Sequence, residues 1–138
     1  MAPNSTTGTT NSNSRVRVLD ITFRAPPSGS VRFGVYGGFV TSNIANTYAF
    51  GLSDDPSVIG VTEDYGYIGR EALLAGVSII PCFSTIRTNL TPHTMYSLYL
   101  QASCAIASGT FTVQSGSNVP TPPDLLGYSQ LVFKVEYL

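Results

Sequence analysis

The sequence predicts an all-β protein, an antiparallel β-sandwich, on three observations. Apolar residues recur with a two-residue period, the runs carrying them are short, and Gly, Pro, Asn and Asp cluster between those runs at regular spacing. The alternation is clearest in TMYSLYLQASCAIA, residues 94–107. There Tyr96, Leu98, Leu100, Ala102, Cys104 and Ile106 share one face, and Met95, Ser97, Tyr99, Gln101, Ser103 and Ala105 share the other. A strand half-buried in an antiparallel sheet has this pattern.

In chain order, the first strand is expected over 15–24, where RVRVLDITFR alternates until the PPSG turn at 26–29. Strands follow at 31–40, 45–52 and 57–62, with GG (37–38) and SDDP (53–56) supplying turn geometry. REALLAG, 70–76, has good helix formers and a terminal Gly76, which predicts one short helical turn. Further strands are expected at 77–87, 94–107 and 109–115, separated by TPH (91–93) and ASG (107–109). The loop SGSNVPTPPDLLG, 115–127, then leads to LVFKVEYL, with Leu131, Phe133, Val135 and Tyr137 on one face and Lys134 and Glu136 on the other. About eight short strands and one helical turn suit a jelly roll. An immunoglobulin-like sandwich comes second, because it usually centres on a buried Trp and this chain has none.

Two parts are expected: a polar N-terminal arm, 1–14, and a single sandwich domain, 15–138. MAPNSTTGTTNSNS carries no charged side chain and no apolar one larger than Met1. It buries too little apolar surface to offset the roughly 1–2 kcal/mol of backbone entropy that each ordered residue loses. Such a segment is either a free tail or an arm that takes shape against something else.

Composition narrows the function. Only 11% of residues are charged, the net charge is -1, and Lys134 is the sole lysine. A chain with so little self-repulsion associates readily. The six arginines, at 15, 17, 24, 32, 70 and 87, are dispersed among acids rather than gathered into the basic stripe that binds a phosphate backbone, so no specific nucleic-acid binding is expected. No run is long and apolar enough for a membrane span, and the N-terminus lacks the apolar centre of a secretory signal. Cys82 and Cys104 both lie in apolar strand-like runs and read as buried free thiols, with a disulfide as the second option.

No catalytic chemistry is expected. His93, the one histidine, sits in a turn with no nucleophile assigned to it by spacing. Asp54, Asp55, Glu63 and Asp64 could gather at one end of a sheet, but their spacing matches no calcium loop, and solvated loop acids are the reading kept. GVYGG neither precedes a helix nor carries a phosphate-loop lysine. Neither metal nor cofactor is therefore expected. The eight tyrosines suit sheet faces that meet sugars or other proteins. Tyr99, opposite Leu98 and Leu100 and near Met95, marks a second surface that something covers.

A polar arm, about eight strands, a Pro-rich loop and the closing GYSQLVFKVEYL together resemble the small jelly-roll capsid proteins of icosahedral viruses and the sandwich decoration or minor capsid proteins of virions. TMYSLYLQASCAIASGTFTV is similar to the two strands that precede the last one there. The likeness is one of pattern over about the final 45 positions. Its arm departs from those that package RNA, having no basic residue before Arg15, so contact with protein neighbours is what the resemblance implies. A structural virion protein follows as the first expectation, a homo-oligomer located in the virion and partnered by other capsid subunits, of its own kind or another. The interface residues expected are Asn4, Ser5, Thr6, Thr9, Asn11 and Asn13 of the arm, with Met95 and Tyr99 of the sheet face. A carbohydrate-binding or lectin-like module, or an adhesin subunit, is the alternative, since sandwiches host all three.

Overall fold

The computed structural model describes residues 7–10, 16–54, 66–106, 111–114 and 131–138. They form ten strands: β1 (Thr7–Thr10), β2 (Val16–Arg24), β3 (Val31–Tyr36), β4 (Phe39–Ser42), β5 (Asn46–Ser53), β6 (Tyr67–Leu73), β7 (Cys82–Arg87), β8 (Met95–Cys104), β9 (Phe111–Gln114) and β10 (Val132–Tyr137). All pairing is antiparallel, in three sheets ordered β2-β8-β5-β6, β10-β3-β7 and β1-β9-β4. The protein is all-β, with no helix among the described residues.

Period-two alternation builds the core from these sheets. Leu19, Phe23, Tyr48, Phe50, Leu52, Leu98 and Leu100 are buried from the four-stranded sheet, and Val31, Phe33, Val35 and Phe133 from the sheet of β3. Phe23 and Phe33 meet edge-on across the two layers at 5.8 Å. The third sheet closes the same core: Val40, Phe111 and Val113 are buried, and the Phe111 ring stacks on Tyr48 at 5.8 Å. Offset and edge contacts of this kind add to what ring burial alone contributes.

Two irregularities adapt strands to this core. A bulge in β2 between Arg17 and Leu19 lets the consecutive Val18 and Leu19 both be buried. A second one, where Gly51 pairs Tyr67 and Phe50 pairs Gly69, leaves Ile68 as the extra residue, also buried. Bulges reset the inside–outside alternation by one residue.

Several sequence expectations are corrected here. The helical turn over 70–76 does not form. Arg70–Leu73 complete β6 instead, with Leu73 buried opposite Asn46 and Glu71 opposite Tyr48. The Tyr48 hydroxyl donates to Glu71 Oε1 at 3.1 Å; burial, with Glu71 beside it, pushes the phenol pKa far above its ordinary value. Tertiary pairing here outweighs the helix propensity of Glu-Ala-Leu. The single strand expected over 31–40 is two: Gly37 and Gly38, at φ 77° and 60°, break it, and the chain passes from the sheet of β3 to that of β4. Cys82 is exposed rather than buried, because Phe83 and not Cys82 takes the inward phase of β7; Cys104 is buried, and the two form no disulfide. The strand expected at 57–62 lies outside the described residues.

Gly69 shows how tightly the layers approach. A β-carbon there would stand 2.3 Å from Cδ1 of Phe83, whose ring also packs on Tyr48 and Phe50. Gly69→Val is expected to lower stability by about 1–3 kcal/mol, the usual cost of overpacking, as read by urea denaturation. An unchanged midpoint would show that the Phe83 ring has room to swing away.

Candidate assembly interface

The arm expected over 1–14 is described in part. Its described part, Thr7–Thr10, is an edge strand of the chain's own third sheet, pairing with β9 in the register Thr7–Gln114, Gly8–Val113, Thr9–Thr112 and Thr10–Phe111. Asn4, Ser5, Thr6, Asn11 and Asn13 lie outside the described residues. β9 is held differently from β1. It sits between β1 and β4, and its Phe111 and Val113 are buried in the core. Among the described residues β1 pairs with one strand. Residues 1–14 offer none of the charges with which exposed strand edges usually discourage further pairing.

Met95 and Tyr99 do share the outward face of β8, as the alternation requires. Met95 is 55% exposed, opposite Arg24, while Tyr99 is half-buried between Asp20 of β2 and Ser53 of β5. Ser53 and Gln101, on this same outward face, are buried. The face is thus open at its Met95 end and closed toward its middle. Thr9 belongs to a different sheet, so the structure does not place the arm strand and the Met95–Tyr99 face in one ladder.

The structure has a second open region that the sequence does not mark. Between β6 and β7 the chain runs beside β4: the Gly76 N–H donates to Ser42 O, Val40 and Ile79 exchange both backbone bonds, and the Gly37 N–H donates to Pro81 O. Along it Leu74 (68% exposed), Val77 and Ile80 are turned to solvent. The signal available was the uncharged run from Ala72 to Ile86, which reads equally well as a buried strand.

The outer face of the sheet of β3 is polar. Glu136 accepts from Lys134 Nζ at 2.6 Å and from Arg32 Nη1 at 3.3 Å. Hydrogen bonding from Lys134 holds the Glu136 carboxyl below the usual carboxylate range. Tyr36 lies against Gly34, where a β-carbon would meet its ring at 2.3 Å, and Lys134 Nζ stands over that ring 5.1 Å from its centre. Exposed pairs of this kind contribute little to stability.

Of the ionisable side chains in turns, His93 and Asp54 are described. His93 is exposed in a turn at φ 62°, its carbonyl accepting from Arg24. Asp54 is exposed, and Asp55, Glu63 and Asp64 lie outside the described residues. Among the described residues no three His, Cys, Asp or Glu side chains group as metal ligands, and no helix is long and apolar enough to cross a membrane.

No protein family and no curated protein matches the sequence. Among solved structures, the chain is similar to one in the structure of infectious bursal disease virus, Gx strain, at 14% identity and a TM-score of 0.47. The similarity covers 97% of this chain and 38% of that one, so this chain spans well under half of its neighbour's length.

Proposed function

We propose that this chain is a structural virion protein, a capsid, minor capsid or decoration subunit whose sandwich is a rigid brick and whose residues 1–14 are an assembly arm. The observation that carries the reading is β1: an uncharged edge strand attached to the body by one short ladder. Backbone pairing along an edge is a general means of joining chains, with affinity supplied by main-chain hydrogen bonds. The exposed Leu74, Val77 and Ile80 and the low charge agree with a surface that meets other subunits. The jelly-roll reading rests on the number of short strands; what assembly requires of it is a stiff body. The partners proposed are other capsid subunits, and the location is the virion. No catalytic, nucleic-acid or membrane role is part of the proposal.

The test is concentration-dependent light scattering of the purified chain, with electron microscopy of what forms. Discrete particles many times the mass of the 14.7 kDa monomer are expected. In them residues 1–14 should be cut more slowly than in the dilute chain, where β1 is held by its own four-residue ladder alone. A protein that stays monomeric at millimolar concentration, alone and with virion extracts, would end the proposal.

A further inference from the structure

We infer that the seat along β9 is an exchange site, filled in the assembly by Thr7–Thr10 of a second copy in the register that the chain's own β1 uses. This rests on the assembly reading above and names its contact.

Three observations carry it. The seat belongs to the body, since Phe111 and Val113 anchor β9 in the core and β4 fixes its other side. Its occupant is joined to that seat as a strand to a ladder, and the same four residues arriving from another copy make the same backbone bonds. Residues 4–14 contain neither charge nor proline, so nothing in the segment discourages pairing with a foreign edge. The identity of the partner follows: the segment shown to fit this seat is Thr7–Thr10 of this sequence, so a second copy supplies a matched occupant.

Because the bonds are alike in both arrangements, the choice between them is set by concentration. Five residues, 11–15, separate β1 from β2 in sequence, so a chain's own strand is presented at an effective concentration of the order of millimolar. Dilute chains therefore fill their own seats. Copies packed side by side compete for them, so exchange accompanies assembly and links neighbours without any new type of contact.

Thr9 and Thr112 are register partners in the ladder, and the Thr112 side chain is half-buried rather than in the core. The experiment uses cysteines at these two positions in a Cys82→Ser background, oxidised and then resolved on non-reducing gels. One sample is the double variant Thr9→Cys/Thr112→Cys; the other mixes the two single variants, one of them carrying a mass tag. In dilute solution the double variant is expected to close a bridge within the chain and the mixture to give none. In assembled material the mixture is expected to give tagged-to-untagged bridges as the main product. Particles in which only within-chain bridges form would overturn the exchange while leaving the assembly reading intact. No intrachain bridge in the dilute double variant would overturn the seat itself. Should no particle form, the assembly reading fails, and a mixture still unbridged at the highest soluble concentration overturns the exchange as well.

Discussion

Phe50→Ala is expected to remove about 3–5 kcal/mol of folding stability, toward the upper end for large-to-small core changes. Phe50 is fully buried in β5, a strand paired on both sides. Its ring meets Tyr48 edge-on at 5.7 Å and Phe83 at 6.2 Å. Its cross-strand partners are Ala102 and Gly69, too small to fill the space a lost ring leaves. Collapse is therefore poor, and the cavity persists. A single domain usually holds only about 5–15 kcal/mol in all, so this one change would forfeit a large share. For a chain of this size the melting temperature should fall by roughly 10–20 °C. Denaturant unfolding should show a lower midpoint with an unchanged slope. Ile86→Ala, on the exposed phase of β7, is the comparison and should shift stability by no more than about 0.5 kcal/mol. A loss below about 1 kcal/mol for Phe50→Ala would mean that the aromatic cluster repacks and that the core is looser than its geometry.

What the sequence disclosed divides along a physical line. Strands whose two faces differ in polarity were legible. In β8, Leu98, Leu100, Ala102 and Cys104 are buried on the face expected, and β2, β5 and β10 begin and end within two residues of their expected bounds. Strands that owe their existence to a distant partner were not. β6 reads locally as a helix former and is a strand because β5 pairs with it. The alternation of β7 was plain, but its phase was not, and that phase decides which of Cys82 and Phe83 is buried. The division of residues 31–40 turns on Gly37 and Gly38 taking positive φ, a possibility that a Gly pair announces and that a continuous apolar run obscures.

The residues offered as an interface are positioned by long-range pairing, which local sequence does not record. Lack of charge and of large side chains singled out residues 1–14, but Thr9 meets Thr112 across more than a hundred residues of sequence, and no local pattern encodes that pairing. Met95 and Tyr99 were assigned to an outward face correctly, yet their differing exposure depends on Asp20 and Ser53 from strands β2 and β5. The aliphatic edge at Leu74, Val77 and Ile80 was missed for the opposite reason: apolar residues in a strand-like run are ordinarily core. Edges are properties of a sheet, and a sheet assembled from non-consecutive strands shows its edges only after folding.

Changing Thr9 and Thr10 together to proline is expected to abolish assembly while leaving the sandwich folded. In an antiparallel ladder alternate residues exchange both backbone bonds with their partners, so one of two neighbouring positions must donate to β9. Proline has no N–H to donate, and its ring crowds the ladder. Pairing should lose about 1–1.5 kcal/mol in a chain's own seat and in a neighbour's alike, enough to free a four-residue strand from either, so that no strand is left to link copies. Assembly should therefore be lost at the concentrations at which the parent forms particles. The monomer should hardly change, since the anchoring side chains Phe111, Val113 and Val40 are untouched. Its melting temperature is expected to stay within about 5 °C of the parent's, the shift that roughly 1 kcal/mol produces. Thr9→Val with Thr10→Val keeps both N–H groups and should assemble at the parental concentration. Proline variants that form particles as readily as the parent would detach β1 from assembly and leave the aliphatic edge beside β4 to account for it.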